Sequence, residues 1–239
     1  MKLTSTLLVV LFSVMAFGLY AQQQQNVLVF TKTEGFRHES IEAGVALIER
    51  LGQENHFNVT HSEDASLFNK DTLSHYNAVI FLNTSGDILD EGQQRAFEFF
   101  MEKGGGFVGV HAASDTEFDW PWYGMLVGAY FDNHPKIQEA EIQVKMPSHS
   151  TCSHLGETWT RTDEWYNFKN ISPNIQVLLN LDESSYEGGT NGSSHPIAWY
   201  QEFAGGRSFY TGGGHTKESY GEEAFVKHLL EGIKYCLFR

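Results

Sequence analysis

The hydrophobic positions follow two different patterns along the chain. In the first half, short apolar runs alternate with amphipathic stretches. Val27–Thr31 is an apolar run that predicts a buried strand, and Lys32–Arg37 predicts a loop. Ile41, Val45 and Ile48 then recur at helical spacing, with Gly52 near the expected helix end. Asn58–His61 is a weak second strand and Ala78–Leu82 a third, buried one, followed by the polar turn Asn83-Thr84-Ser85-Gly86. Asp90 with Gln93 three residues on is a capping box, opening a helix whose apolar face is Phe97, Phe100 and Met101. Gly104–Gly106 stop that helix, and Phe107–Val110 is the fourth strand.

The second half is more strand-like. Glu139–Lys145 alternates with a period of two, and Gln176–Leu181, Pro196–Phe203 and Arg207–Thr211 read as strands. Asp182–Ser194 is a polar, Gly/Ser-rich loop. A last helix from about Glu222 carries Val226, Leu230, Ile233 and Leu237 on one face. Strands alternating with helices predict an α/β fold, a mostly parallel sheet with helices on both faces. No repeat or long linker divides it.

Residues 1–21 fall outside this pattern. Lys2, the apolar run Leu7–Phe17 and the small Ala21 make a secretory signal peptide, so the expected domain is 22–239 and the expected location secreted or periplasmic. The apolar run is too short, and too soon followed by Gln22–Gln25, for a membrane anchor. The formal charge of the whole chain is −14 and no basic cluster opposes it. That argues against nucleic acid and anionic membrane surfaces as partners. Cys152 and Cys236 leave two readings, a disulfide permitted by export or two small buried side chains; the position of Cys236 on an amphipathic helix favours the second.

In an open α/β sheet, ligands bind beyond the carboxyl ends of the strands. His38 follows the first strand, His111 the fourth and His215 the last, while the turn after the third offers Asn83, Thr84 and Ser85. The run Gly104–Ser114 has the layout of a nucleophile elbow, a strand ending at one polar residue among small neighbours, with His111 in the nucleophile's place. A histidine there suits acid–base or metal chemistry rather than acyl transfer. Arg37 and His38 lie where a helix begins, a position that favours anions and oxygen-rich ligands; a surface ion pair is the plain alternative for Arg37.

Aromatic residues crowd the loop after His111. Phe118, Trp120, Trp122 and Tyr123, with Phe131 and His134 beyond, suit stacking and hydrogen bonding to a sugar; a small core beneath a long loop explains them equally well. Asp163-Glu164-Trp165-Tyr166 pairs acids with aromatics. Glu164 is the favoured acid and Trp165 a further sugar contact. His38, His111, His134, Glu164 and His215 are the candidate ligands for a divalent metal such as zinc, against a metal-free acid–base pair, since no local ligand motif is present. His149 and His154 flank Cys152, but one thiolate is too little for a Cys/His site.

VLVFTKTEGFRHESI, GGGFVGVHAASDT, DEWYNF and FYTGGGHT, in that order and spacing, resemble the ThuA-like family named for trehalose utilisation. The resemblance runs from about Asn26 to Tyr235. It implies a flavodoxin-like sheet related to class I glutamine amidotransferases, and a role in carbohydrate metabolism linked to trehalose and oxidised (keto) disaccharides. In those amidotransferases the elbow carries Cys and a late strand end carries His followed by an acid. Here the elbow carries His111, and His215 is followed by Thr216, so glutamine hydrolysis is not carried over.

The sequence thus leads to an exported enzyme acting on a sugar, glycoside or keto-sugar by hydrolysis, elimination or isomerisation. His111, His215 and Glu164 would be catalytic, and Arg37, His38, Asn83, Trp120, Trp122, His134 and Trp165 would contact substrate. The rival reading is a noncatalytic carbohydrate-binding protein. Convergence of His111, His215 and Glu164 in one cleft favours the enzyme; an aromatic platform far from them favours the binder.

Overall fold

The computed structural model describes residues 24–238, so the signal peptide expected over residues 1–21 lies outside the described residues. In chain order the elements are β1 (Gln25–Phe30), α1 (Ile41–Asn55), β2 (Phe57–Ser62), α2 (Lys70–Leu73), β3 (Ala78–Leu82), α3 (Glu91–Glu102), β4 (Gly106–Val110), α4 (Pro121–Val127), β5 (Tyr130–Asn133), β6 (Gln138–Val144), β7 (Thr158–Asp163), β8 (Asn167–Lys169), β9 (Gln176–Leu181), β10 (Pro196–Phe203), β11 (Gly206–Thr211) and α5 (Glu223–Leu237).

Nine strands form one sheet in the order β2-β1-β3-β4-β11-β10-β9-β6-β7. From β2 to β11 neighbours run parallel, and from β11 to β7 they run antiparallel. The α/β expectation therefore holds, with a parallel half followed by an antiparallel half built from the strand-rich C-terminal sequence. β3 and β4 are buried along their whole length, as continuous apolar runs require.

Helices cover both faces of the parallel half. Successive residues of a strand point to opposite faces. A Cβ on Gly106 would meet Cys236 of α5, whereas Phe107 packs on Phe97 of α3 and Tyr123 of α4. α1 and α5 are joined through Tyr220, which lies over Gly44 and edge-on to Phe225. On the other face, Phe81, Phe97, Phe107, Trp120, Trp122 and Tyr123 form a continuous aromatic layer.

The expected capping box is present: Asp90 accepts from Gly92 and Gln93, and Gln93 returns to the Asp90 N–H. α1 does not end at Gly52. It continues to Asn55 and stops at His56 in the left-handed conformation, while Gly52 lets the Phe57 carbonyl approach to 2.7 Å of where a Cβ would sit. Cys152 and Cys236 are free, buried thiols. Cys236 donates to the Phe107 carbonyl at 3.0 Å, the small-buried-residue role rather than a disulfide. Among the described residues no helix is long and apolar enough to cross a membrane.

Candidate functional site

The site stands at the carboxyl ends of the parallel strands. β4 delivers its apolar side chains to the core and ends at His111, whose φ of 48° is left-handed. A non-glycine residue in this region is strained, and such strain is characteristic of an elbow that thrusts one side chain out of the sheet. Ala112 and Ala113, both fully buried, leave room for the sharp turn.

His111 is itself fully buried. Its Nδ1–H donates to the Gly212 carbonyl at 2.8 Å, which leaves Nε2 as the atom turned to the site. That Nε2 lies 3.2 Å from Nδ1 of His215 and 3.5 Å from Oε2 of Glu164. The same Glu164 oxygen is 3.0 Å from His215 Nδ1, and Oε1 is 3.0 Å from Nδ1 of His134. His38 closes the group, its ring edge-on to His111 at 4.9 Å and to His215 at 5.0 Å between centroids. Its Nδ1 is buried with no hydrogen-bond partner. His38, His111, Glu164 and His215 each turn one ligand-capable atom to a common point, all four atoms within 4.8 Å of one another.

An inner shell fixes this group. Asp163 is fully buried and paired with Arg161 at 2.8 Å. Its Oδ1 accepts from the backbone N–H of Glu164 and His215, and its Oδ2 from that of Gly214. One carboxylate thereby ties together the two segments that carry Glu164 and His215.

The electrostatics are mutual. Burial opposes ionisation of Glu164, but hydrogen bonds and charge from His111 and His215 outweigh it and hold the carboxyl far below the usual range. Burial lowers the affinity of His215 for a proton, yet the hydrogen bond and charge of Glu164, with Asp163 behind it, raise it overall. His38 has no such partner. Burial, together with the neighbouring His111 and His215, pushes it down to about 3.

The cleft over this group has a volume of about 360 Å³ and is lined by Phe36, Asp115, Phe131 and Tyr166 as well as His38, His134, Glu164 and His215. Tyr166 lies against the His111 ring at 4.1 Å and against Phe131 at 4.3 Å. Burial raises the pKa of Asp115. A second groove at the amino ends of β3 and β4 carries Lys70 and Lys103 but no histidine or carboxylate.

His38, His111, His134, Glu164 and His215 therefore come together. His134 stands apart from the four-residue cluster, holding the outer oxygen of Glu164, so of the five candidate metal ligands four converge and His134 does not. Four other expected contacts fail for identifiable reasons. Arg37 is bound on the surface by Glu63 and Glu42 at 2.7 and 3.0 Å. Asn83 is buried, and its amide is spent on Ser40, Tyr220 and the Gly214 carbonyl. Trp120 and Trp122 stack on each other at 5.1 Å within the aromatic layer, making the loop a small core. Trp165 is fully buried and donates to the Gln138 carbonyl, while its neighbour Tyr166 faces the cleft. Asp115 was missed; it follows the elbow by one turn, which is what brings it back to the cleft.

A sequence model of the ThuA family, described as trehalose utilisation, matches residues 26–236. The chain belongs to the ThuA family. The family's description points to carbohydrate metabolism. The fold is similar to that of a ThuA-like protein from Bacteroides uniformis ATCC 8492, with a TM-score of 0.77 and 24% identity over 91% of this chain and 93% of that one. A ThuA-like protein from Parabacteroides merdae ATCC 43184 gives 0.74 and 19%, over 90% and 91%. The β-galactosidase of Bacillus circulans sp. alkalophilus contains a similar fold, at 0.57 and 16% over 89% of this chain and 30% of that one. No curated protein sequence matches. The ThuA fold here is flavodoxin-like, as its motifs implied.

Proposed function

We propose that this ThuA-family protein is an enzyme acting on a sugar derivative that carries a carbonyl group, and that the cleft over His111, His215 and Glu164 is its active site. The observation that carries the reading is the 3.0–3.5 Å triangle of His111 Nε2, His215 Nδ1 and Glu164 Oε2, in which His215 and Glu164 line the cleft and His111 is buried against both. Three such atoms this close are held together by a shared proton or by a metal ion between them. A positive centre under a cleft stabilises the oxyanion that develops when a proton leaves the carbon next to a carbonyl. The binding-protein reading has less support, because Trp120 is buried and Trp122 half-buried in the aromatic layer, which leaves no tryptophan platform in the cleft.

The chemistry fits elimination better than direct cleavage of an unactivated glycoside. Asp115 lines the cleft, and its burial makes the carboxylate a stronger base. It would take the proton from the carbon beside the carbonyl. The carbonyl oxygen gains negative charge against the histidine cluster. That electron pair then re-forms the carbonyl and expels the oxygen at the β-carbon, which takes up a proton donated by His134 at the rim. The products are an unsaturated ketone and an alcohol, and the two proton carriers are reset by exchange with water. Flat apolar walls from Tyr166, Phe131 and Phe36 suit a sugar ring. His111 at the elbow supplies no thiol, so glutamine hydrolysis through a covalent glutamyl enzyme is not part of the function. Export of the mature chain from Gln22 belongs to the same proposal, supported by the sequence of residues 1–21.

A metabolite screen tests it. Native protein should consume a sugar derivative that a His111→Ala variant of equal fold leaves untouched. Consumption of no sugar, or equal consumption by both proteins, would defeat the reading.

A further inference from the structure

We infer that His38, His111, Glu164 and His215 form a binding site for one zinc-class divalent metal ion. The inference rests on the reading of this cleft as the functional centre and names what holds its positive charge. Zinc–nitrogen and zinc–oxygen bonds of about 2.0–2.1 Å on tetrahedral directions place neighbouring donor atoms about 3.3 Å apart. The observed separations are 3.2 Å from His111 to His215, 3.5 Å from His111 to Glu164 and 3.0 Å from His215 to Glu164. All three edges of one face of such a tetrahedron are already in place.

Each donor is aimed by an outer contact of the kind that metal ligands use. His111 gives its Nδ1–H to the Gly212 carbonyl, fixing the tautomer with a lone pair on Nε2. Glu164 has one oxygen committed to His134 and the other directed at His111 and His215, a monodentate arrangement. Asp163 holds the backbone of both Glu164 and His215. His38 is the fourth donor. Its residue is 3% exposed and its Nδ1 is buried without a partner, a cost of about 1–3 kcal/mol unless something occupies it.

Three imidazoles and one carboxylate select a borderline ion such as zinc over magnesium or calcium, which take oxygen ligands. His38 is the donor outside the tight triangle. It completes the shell in the resting protein and is the position a substrate oxygen would approach. The rival occupant of the same point is a proton shared from His215, and metal uptake separates the two.

The test uses the full chain, stripped with a chelator that is then removed, and contains no sugar, so zinc binding and sugar turnover stand or fall separately. Titration with zinc chloride should show one ion per chain. Cobalt(II) in its place should give the visible absorption of a four- or five-coordinate nitrogen–oxygen site. Glu164→Gln and His111→Asn should each weaken zinc binding by at least about 100-fold, and His134→Asn, which removes only the outer contact, by about 10- to 100-fold. Circular dichroism and melting confirm that each variant is folded. If one is not, nitrogen-15 NMR of the native histidines decides, because zinc must shift His111 Nε2 and His215 Nδ1. A folded native chain that takes up neither ion, binding unaltered by Glu164→Gln and His111→Asn, or unshifted histidine signals would overturn the site.

Discussion

His111 Nε2 and His215 Nδ1 face each other at 3.2 Å across the carboxyl ends of β4 and β11, although 104 residues separate them in the chain. The two strands pair in parallel, with Val110 opposite Thr211, so the residues that follow each strand emerge side by side. The pairing of these strands thus builds the site. Replacing His111 should remove activity while the fold survives. Asn tolerates the left-handed backbone at this position better than Ala. His111→Asn should therefore keep a native melting profile and lower kcat by about 10²–10⁴-fold, the usual worth of a positioned acid–base group. Near-native turnover in the folded variant would remove His111 from the chemistry.

Asp163 should be the most sensitive position behind the site. It is fully buried, paired with Arg161, and accepts from the backbone of Glu164, Gly214 and His215. Asp163→Asn removes the buried carboxylate from Arg161, which keeps only the half-buried Glu222 at 2.7 Å, and breaking a buried pair in this way costs up to about 3–5 kcal/mol. Chemical denaturation of the variant should show a loss of that order, and any folded fraction should bind substrate more weakly.

Trp120 tests the reassignment of the aromatic loop. It is 8% exposed and stacked with Trp122 and Tyr123, with its Nε1–H on Glu98. Trp120→Ala should lower stability by about 3–5 kcal/mol. At a temperature where the variant is folded, the Michaelis constant should stay within about 3-fold of native, equivalent to well under 1 kcal/mol. Substrate affinity weakened about 100-fold, with stability unchanged, would restore the stacking role.

His228 predicts acid sensitivity remote from the cleft. It is fully buried, donates from Nδ1 to the Thr151 carbonyl and has no partner at Nε2. Burial above all, with Arg161, His149 and His154 nearby, pushes its pKa down to about 4. The unfolded chain binds this proton near pH 6.5 and the folded one only near pH 4, so the contribution is complete above pH 6.5 and lost as pH falls towards 4. The loss is on the order of 3 kcal/mol. His228→Leu should flatten the stability profile across this window relative to native protein. An unchanged profile would place the acid sensitivity elsewhere, at His38 for example.

The parallel half of the fold was readable because β3 and β4 are continuous apolar runs and α1 and α3 carry clean helical spacing. The histidines were readable because each follows a strand whose carboxyl end must meet the others in a parallel sheet. What the sequence hid was the direction of side chains in irregular segments. Trp165 and Tyr166 are adjacent and alike in chemistry, yet one fills the core and the other lines the cleft. Trp120 precedes α4, a helix too short and apolar to stand out from its loop, and that helix turns the aromatic cluster inward. Arg37 was drawn off by Glu63, 26 residues away at the end of a neighbouring strand, a partner no local pattern reveals.

The central claim is proton abstraction beside a carbonyl in the cleft of His111, His215 and Glu164. Proton NMR of a keto-disaccharide in deuterium oxide measures it directly. The account predicts that native protein makes the signal of the hydrogen next to the carbonyl disappear, with release of the second sugar, and that His111→Asn slows both by at least about 100-fold. A keto-disaccharide that binds native protein, seen as saturation transfer to its ring protons, while that hydrogen and the glycosidic link persist unchanged, would contradict it and leave a binding protein.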